Sequence, residues 1–584
     1  MTPAARVFEF GPFRLDTRGK LLFRDGERVS LPPKAAEVLV ALIEHRPDAV
    51  GREELLRGVW AETAVEDGSL TSHVSLLRRV LGERRGGPRY IETIPKRGYR
   101  FLAMVEEVDR SPRSAGASRA MLAVLPFENL SGEDQDFFSD GLTEETITHL
   151  SRLAPERLGV IARASVARYK RNPRSIREIG EELGVSHVLE GSVRRSGRRA
   201  RVTAQLIDVS DQTHVWAESY ERDLGDLLAL QVDLARAIGG EIEIKLAPLA
   251  PRSRESLTVD PEAYETYLKG RYLWNRRSLE AVRKSIRYFE TCIEREPRYA
   301  AARSGLADAY MTLHDDGRLS PKEATVKAKH SAEEALRIDP ALAEAHTSLA
   351  HAFFHELDWL RAGEEFRRAI ELNRNYAAAR FYYANFLVAF GRFDEAIEEA
   401  RAALVLDPVS LPAGSNVASV YYHARRYDEA IEHCRRVLEI DPAFARSLED
   451  LGRNYEQQQK HEEAILAFEK AAEISGRDLR PLSSLAHGYA VAGRRREARR
   501  VLAEIERLAK EGYVSAFAFA IVHAGLGDRN QAFEYLAKAC DERSSGLPFL
   551  NVEPRLDSLR REPRFQALVS RMGLVGKLPT SRRR

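Results

Sequence analysis

Apolar and polar side chains alternate between residues 7 and 31, through VFEFGPFRLD and KLLFRDGERVSL, with Asp25-Gly26 inside the second run. A period of two marks strands with one buried face, and Asp-Gly is a strong two-residue hairpin signal, so an antiparallel sheet is expected to open the chain. Past Pro32-Pro33 the period lengthens to that of helices over residues 34–45, 52–60 and about 68–81. IETIPKRGYRF, residues 91–101, returns to alternation and predicts a closing hairpin with Lys96 and Arg97 at its tip. On the third helix Leu70, Val74, Leu77 and Leu81 follow the i, i+4, i+7, i+11 spacing of a single buried stripe.

The pattern then changes twice. MLAVLPFENLSG reads as a buried strand ended by a turn, and DGLTEETITHLSRL as a helix with Asp140 or Thr143 placed to cap it. A strand (RLGVIARAS) and a helix (SIREIGEELGV) follow, then three alternating strands with turns near Ser196-Gly197 and Asp211-Gln212, and a helix over about 226–246. Residues 121–250 are therefore expected to form an α/β unit with a mixed sheet. From about residue 260 the chain repeats itself: Asp339, Asn373, Asp407, Asp441 and Ser475 stand at equivalent places with a period of 34, that of tetratricopeptide (TPR) repeats. Ala350, Ala384, Ala418, Gly452 and Ala486 recur as small residues on the first helix of each unit, and Ala362, Ala396, Ala430, Ala464 and Ala498 on the second. About eight motifs fit in 260–550, and residues 551–575 (PRLDSLRREPRFQALVSRM at their centre) are expected to form an amphipathic helix that shields the last repeat.

Composition adds limits. With 584 residues, 44% apolar and 30% charged, the chain suits several soluble globular domains. The net charge of +2 conceals a local imbalance, because residues 78–100 hold eight Lys/Arg against only Glu83 and Glu92. A basic end on one small domain is a nucleic-acid signal. Cys292, Cys434 and Cys540 lie more than a hundred residues apart, which suggests neither a disulfide framework nor a zinc cluster and fits a reducing cytosol. The start lacks the features of a signal peptide, and the longest apolar run, AFAFAIV at 516–522, is far too short to span a bilayer, so a cytoplasmic protein without membrane contact is expected.

Opposite the buried stripe of the third helix stand Ser72, Ser75, Leu76 and Arg79, flanked by Thr71 and Arg78. Small hydroxyls can bond several base edges and Arg prefers guanine, so this face suits a major groove; the plainer reading is a solvated helix face. In the middle unit Arg194, Arg195, Arg198, Arg199 and Arg201 fall within eight residues and could contact an anion, a nucleotide phosphate included, or could simply line a solvated hairpin tip. His187, His214 and Trp216 invite a ligand pocket but suit structural packing better. The chain has no phosphate loop, no GxSxG elbow, no HExxH and no His/Cys cluster with metal spacing, so no enzyme, cofactor or metal is expected.

LPPKAAEVLVALIEH, REELLRGVW, SLTSHVSLLRRVLGE and YIETIPKRGYRF together resemble the OmpR/PhoB-type winged-helix DNA-binding domain over residues 1–105. The resemblance implies that the third helix reads the major groove, with Thr71, Ser72, His73, Ser75, Leu76, Arg78 and Arg79 as candidates. It also implies a wing in which Lys96 and Arg97 meet phosphates. Leu76 stands where many members carry a cation. Residues 106–120 read as a flexible linker, and AVLPFENLSG, DGLTEE, LEGSVRRSG and WAESYERDL resemble the TolB N-terminal-like domain. The expected architecture is an α+β winged helix-turn-helix, a middle α/β mixed-sheet domain and an all-α TPR solenoid. That order points to a one-component transcriptional regulator. It would bind double-stranded promoter DNA, hold a protein or peptide ligand in the TPR groove, and contact RNA polymerase or a second copy on DNA. The alternative is a TPR scaffold whose winged helix serves protein contact or has lost DNA binding.

Overall fold

The computed structural model describes residues 7–11, 13–16, 21–24, 27–29, 31–46, 48–59, 67–83, 89–95, 97–103, 105–108, 119–153, 155–170, 172–242, 259–315, 319–510 and 513–574. The chain divides into two compact units, residues 1–117 and 118–584. The expected Asp25-Gly26 turn, and residues 243–246 of the expected last middle-domain helix, lie outside the described residues.

In the first unit β1 (Val7–Phe10), β2 (Phe13–Asp16), β3 (Leu21–Arg24) and β4 (Glu27–Val29) form an antiparallel meander. The helices α1 (Pro33–Glu44), α2 (Arg52–Val59) and α3 (Asp67–Val80) follow, with the short strand β5 (Val50–Gly51) between the first two. The hairpin β6 (Ile91–Ile94) and β7 (Gly98–Phe101) pairs with β5 in the order β5-β7-β6. Residues 106–108, expected to start a linker, instead form β8 (Glu106–Val108), which pairs antiparallel with β1 and extends the first sheet. Their alternation is too short for the sequence to distinguish a strand from polar linker. Phe8, Phe10, Phe13, Leu15, Leu39, Leu42, Leu70, Val74, Leu77 and Phe101 fill one core beneath the three helices.

The second unit begins with β9 (Ala120–Val124), β10 (Glu128–Asn129), α4 (Asp136–Leu153), β11 (Leu158–Val160), α5 (Arg163–Val166) and α6 (Ile176–Leu183). The strands β12 (His187–Ser196), β13 (Arg199–Asp208) and β14 (His214–Asp223) and the helix α7 (Leu227–Glu241) complete the middle domain. The sheet order is β11-β9-β12-β13-β14, parallel through its first three strands and antiparallel beyond, the mixed sheet expected. α4 starts before either expected cap: Thr143 sits inside it, bonding Ser139 O at 2.8 Å and accepting from the Phe127 amide at 3.0 Å. The buried Phe137 and Phe138 carry the helix one turn further toward its N-terminus.

Among the described residues eight helix pairs follow. They are α8/α9 (Pro261–Asn275, Leu279–Arg295), α10/α11 (Ala300–Asp315, Pro321–Ile338), α12/α13 (Ala343–Glu356, Trp359–Leu372) and α14/α15 (Ala377–Ala389, Phe393–Leu406). The array continues with α16/α17 (Leu411–His423, Tyr427–Ile440), α18/α19 (Ala445–Gln457, His461–Ile474), α20/α21 (Leu479–Val491, Arg495–Leu508) and α22/α23 (Ala516–Leu526, Arg529–Glu542). Each residue of the 34-residue register, Asp339 to Ser475, ends a second helix. The recurrent alanines are fully buried where helices approach, and a Cβ on Gly452 would stand 2.6 Å from the Phe468 ring.

The middle domain is docked on the array by the turns between repeats. Asn375 Nδ2 donates to Ser151 O and Leu158 O, both at 2.8 Å, and Asn373 Nδ2 donates to Ser151 Oγ at 2.9 Å. One repeat on, Ser165 Oγ donates to Asp407 at 2.6 Å and the Ala162 amide to Leu406 O at 2.7 Å. α8 seals the other side: Tyr267 Oη donates to Glu145 at 2.7 Å, Asn275 to Glu144 at 2.7 Å, and Arg271 pairs with Glu144.

The C-terminal segment is not one continuous helix over 551–575. Two tight turns, Leu547–Phe549 and Pro554–Leu556, lead to a short helix, α24 (Pro563–Arg571), because prolines at 548, 554 and 563 can begin helical turns but not continue them. α24 sits on the last repeat, where Arg564 lies 4.1 Å over the Phe533 ring. The segment before it returns along the first helices of earlier repeats. Glu553 accepts from Tyr422 Oη at 2.7 Å and pairs with Arg453 at 3.3 Å, and Phe549 stacks on His423; just past α24, Met572 O accepts from Trp359 Nε1 at the start of the second helix α13, at 2.7 Å. Burial would raise the Glu553 carboxyl, but Arg555 and Arg453 hold it well below the usual carboxylate range. Part of the surface expected to receive a peptide is thus covered by the chain itself.

Candidate nucleic-acid interface

α3 forms because its apolar residues recur at helical spacing, and the stripe Leu70, Val74, Leu77 and Leu81 is 0–3% exposed. Burying that stripe against α1 fixes which side turns outward: Thr71, Ser72, Ser75 and Arg79 are exposed, and His73, Leu76 and Arg78 are half-buried. Leu76 packs on the edge of the domain core, so its apolar surface is already used. Thr71 Oγ1 accepts from Arg52 at 3.0 Å, which ties α3 to the start of α2. Arg79 has no carboxylate partner among the described residues.

The hairpin register pairs Ile94 with Gly98, and the Arg97 amide closes the turn onto Ile94 O at 3.0 Å. Gly98 has φ +146°, and a Cβ there would lie 2.0 Å from Val50 O, so only glycine permits the pairing with β5. Arg97 is exposed at the tip; Lys96 lies outside the described residues. Arg100 on the returning strand is paired with Glu92 at 2.7 Å, which removes one cation from the basic end.

Arg78 does not face outward like its neighbour Arg79. Its guanidinium donates to Ile91 O at 3.3 and 3.0 Å and to Thr93 Oγ1 at 2.8 Å, and stands 3.6 Å from Glu83. Glu83 in turn accepts from the Tyr90 and Ile91 amides, both at 2.7 Å. Arg78 and Glu83 therefore lock the end of α3 to the hairpin. The sequence reading placed Arg78 among the recognition-helix candidates and counted Glu83 only as a charge, because a helix pattern does not show which arginine a following hairpin will engage.

In the middle domain the arginine-rich turn is largely neutralised. Arg198 pairs with Asp223 at 3.6 Å, and Arg199 and Arg201 both reach Glu221 at 3.3 Å. Arg195 is turned inward, 2.8 Å from Glu265 and over the Phe138 ring. Arg194 alone of the five is exposed without a carboxylate among the described residues. His187 is half-buried beside Ser186, its pKa lowered by burial, while His214 is exposed and Trp216 packs against the sheet core.

Comparison with known proteins assigns the class. A family model described as "Transcriptional regulatory protein, C terminal" matches residues 26–101, one for the second domain of HilA/YgeH-like transcriptional regulators matches 118–237, and tetratricopeptide models match 347–410 and 412–476. The chain is thus a homologue of transcriptional regulators that joins an OmpR/PhoB-type DNA-binding winged helix to TPR repeats. The HilA/YgeH-like model stands where the TolB-like resemblance had been drawn.

Among particular relatives, the transcriptional regulator HilA of Salmonella typhimurium is 28% identical over 424 residues, 72% of this chain and 74% of HilA. The transcriptional activator CadC of Escherichia coli is 34% identical over 83 residues, 14% of this chain and 16% of CadC. A Rhizobium meliloti protein named as an adenylate cyclase is 37% identical over 256 residues, but the match spans only 42% of its length and 43% of this chain. The solved DNA-binding domain of E. coli CadC is 29% identical, covering 18% of this chain and 99% of that domain with a TM-score of 0.17. The family models point to transcriptional regulation rather than catalysis, and to DNA and protein as classes of partner. Among the described residues no helix is long and apolar enough to cross a membrane.

Proposed function

We propose that the chain is a one-component transcription regulator of the cytoplasm that docks α3 in the major groove of promoter DNA. Ser72, Ser75 and Arg79, with Thr71 and His73 beside them, meet base edges; Arg97 and Lys96 meet the phosphate backbone. The observation that carries this reading is the rigid link between reading helix and wing. Arg78 and Glu83 bind the end of α3 to β6, so the outward face and the cationic tip form one surface rather than two independent features. Arg78 acts as a brace in this account and Leu76 as packing.

Phosphate contacts set position and orientation while base contacts specify sequence, which divides the work between wing and helix. Residues 118–584 supply the regulatory partner surface, through which a bound protein, RNA polymerase or a second copy acts. A protein ligand engages a solenoid whose first helices are in part covered by residues 547–574, so it binds outside that stretch or displaces it.

Electrophoretic shift or anisotropy of the full chain on promoter fragments tests the reading. Retention of one fragment over unrelated DNA, weakening with salt, supports it, and the absence of binding to every fragment at low salt refutes it.

A further inference from the structure

The solenoid gathers a set of side chains that the DNA-binding account leaves without a role. α10 ends in His314 and Asp315, and α12, the first helix of the next repeat, carries His351 and His355 four residues apart on one face. His351 Nε2 lies 3.2 Å from His355 Nε2 and 3.5 Å from Asp315 Oδ1. The rings of His314 and His355 stand 4.2 Å apart, and one ligand atom from each of His314, Asp315 and His355 falls within 4.8 Å of the others.

Imidazole in a dry core needs a partner for each nitrogen, because an unbonded buried polar atom forfeits its hydration. Here, among the described residues, both nitrogens of His314 and Nδ1 of His355 are buried with no hydrogen-bond partner. His314 is 1% exposed and His355 6%. Asp315 has a side chain 37% exposed, so it adds a negative charge and a route from solvent.

We propose that His314, Asp315, His351 and His355 form a site for a divalent transition metal of the zinc class. Three imidazoles and one carboxylate are a borderline donor set suited to zinc or cobalt rather than to magnesium or calcium. Zinc–nitrogen bonds of about 2.0–2.1 Å put tetrahedral ligand atoms roughly 3.3–3.4 Å apart. The two distances around His351 Nε2, 3.2 and 3.5 Å, are already close to that, and the ligand atoms of His314, Asp315 and His355, within 4.8 Å of one another, need to draw inward to complete the set. Arg277 and Arg446 lie within Coulombic reach of Asp315 and moderate the affinity. A bound ion would staple the second repeat to the third and make the stiffness of the array depend on metal supply.

The test uses the full chain, without an affinity tag and stripped by a chelator, titrated with Co2+ and then Zn2+. One equivalent of cobalt giving the visible bands of a tetrahedral site, displaced by zinc and accompanied by a higher melting temperature, is expected. His351→Asn and His355→Asn each weaken binding at least tenfold, whereas His423→Asn, at another buried histidine with an unpartnered Nδ1, leaves it unchanged. Should the buried variants misfold, the unsubstituted chain decides alone. Folded chain that shows no cobalt bands and no zinc in equilibrium dialysis overturns the proposal, as do bands that persist in both folded variants.

Discussion

Replacing Arg78 with alanine separates a structural arginine from a DNA-contacting one. The substitution deletes the bonds to Ile91 O at 3.3 and 3.0 Å and to Thr93 Oγ1 at 2.8 Å, and leaves Glu83 without its cation. Hydrogen bonds with a charged partner contribute about 1.5–3 kcal/mol each when dry. The Arg78 side chain is 32% exposed, so solvent screening reduces the whole set to about 1–2 kcal/mol. In a domain of this size each kcal/mol moves the melting temperature by roughly 4–8 °C, so a fall of about 5–15 °C is expected in a circular-dichroism melt of residues 1–117, a compact unit with its own core. DNA affinity falls for all sequences together through the loosened wing. The slope of log K against log salt stays within a few tenths, since a lost phosphate contact alone would change it by about 0.9. An unchanged melt together with a slope change near one unit would mean that Arg78 touches phosphate, and the brace would be refuted.

Arg97→Ala lowers affinity for every sequence and flattens the salt slope by about one unit, whereas Arg79→Ala or Ser75→Ala shifts site preference by about 1–3 kcal/mol at the base pair read; competition binding at several salt concentrations tells them apart. Asn375→Ala removes the two bonds from Nδ2 to Ser151 O and Leu158 O together with those Oδ1 accepts from Arg119 and the Val160 amide, and destabilises the second unit by about 2–4 kcal/mol. Hydrogen exchange in α4 and β11 should rise selectively, and unchanged protection there would show that the inter-repeat turn does not hold the middle domain. Glu145 is raised by burial from an ordinary 4.5 to about 7. The folded chain therefore keeps a proton that the unfolded chain has lost, and stability falls as pH rises from 4.5 towards 7, by at most about 3 kcal/mol. Glu145→Gln abolishes that part of the slope in urea melts between pH 4.5 and 7, and an unaltered pH profile would contradict it.

Local periodicity made most of the architecture legible. The stripe through Leu70, Val74 and Leu77 fixed both the buried and the outward face of α3, and the spacing of 34 located the helix pairs because each repeat must place a small residue where helices cross. Contacts between distant segments left weaker marks. Asn373 and Asn375 interrupt the Asp-Pro turn found at 339, 407 and 441, and the structure makes that departure the seat of the middle domain. The histidine cluster had half a signal in the His351–His355 spacing, but His314 and Asp315 join it only through the stacking of two repeats. Arg78 was ambiguous for a different reason: charge and position on a helix are the same for an arginine that meets DNA and one that meets a hairpin, and only the Ile91 carbonyl distinguishes them. The C-terminal return was hidden because its anchors, Glu553 and Phe549, find partners more than a hundred residues away.

The most direct test of the central claim is the affinity of the full chain for its strongest promoter fragment and for random duplex of equal length, measured from low to physiological salt. The account predicts a preference for the promoter fragment that Arg79→Ala reduces, on a salt slope that Arg97→Ala flattens by about one unit. Equal affinity for both duplexes, unmoved by either substitution, would contradict it.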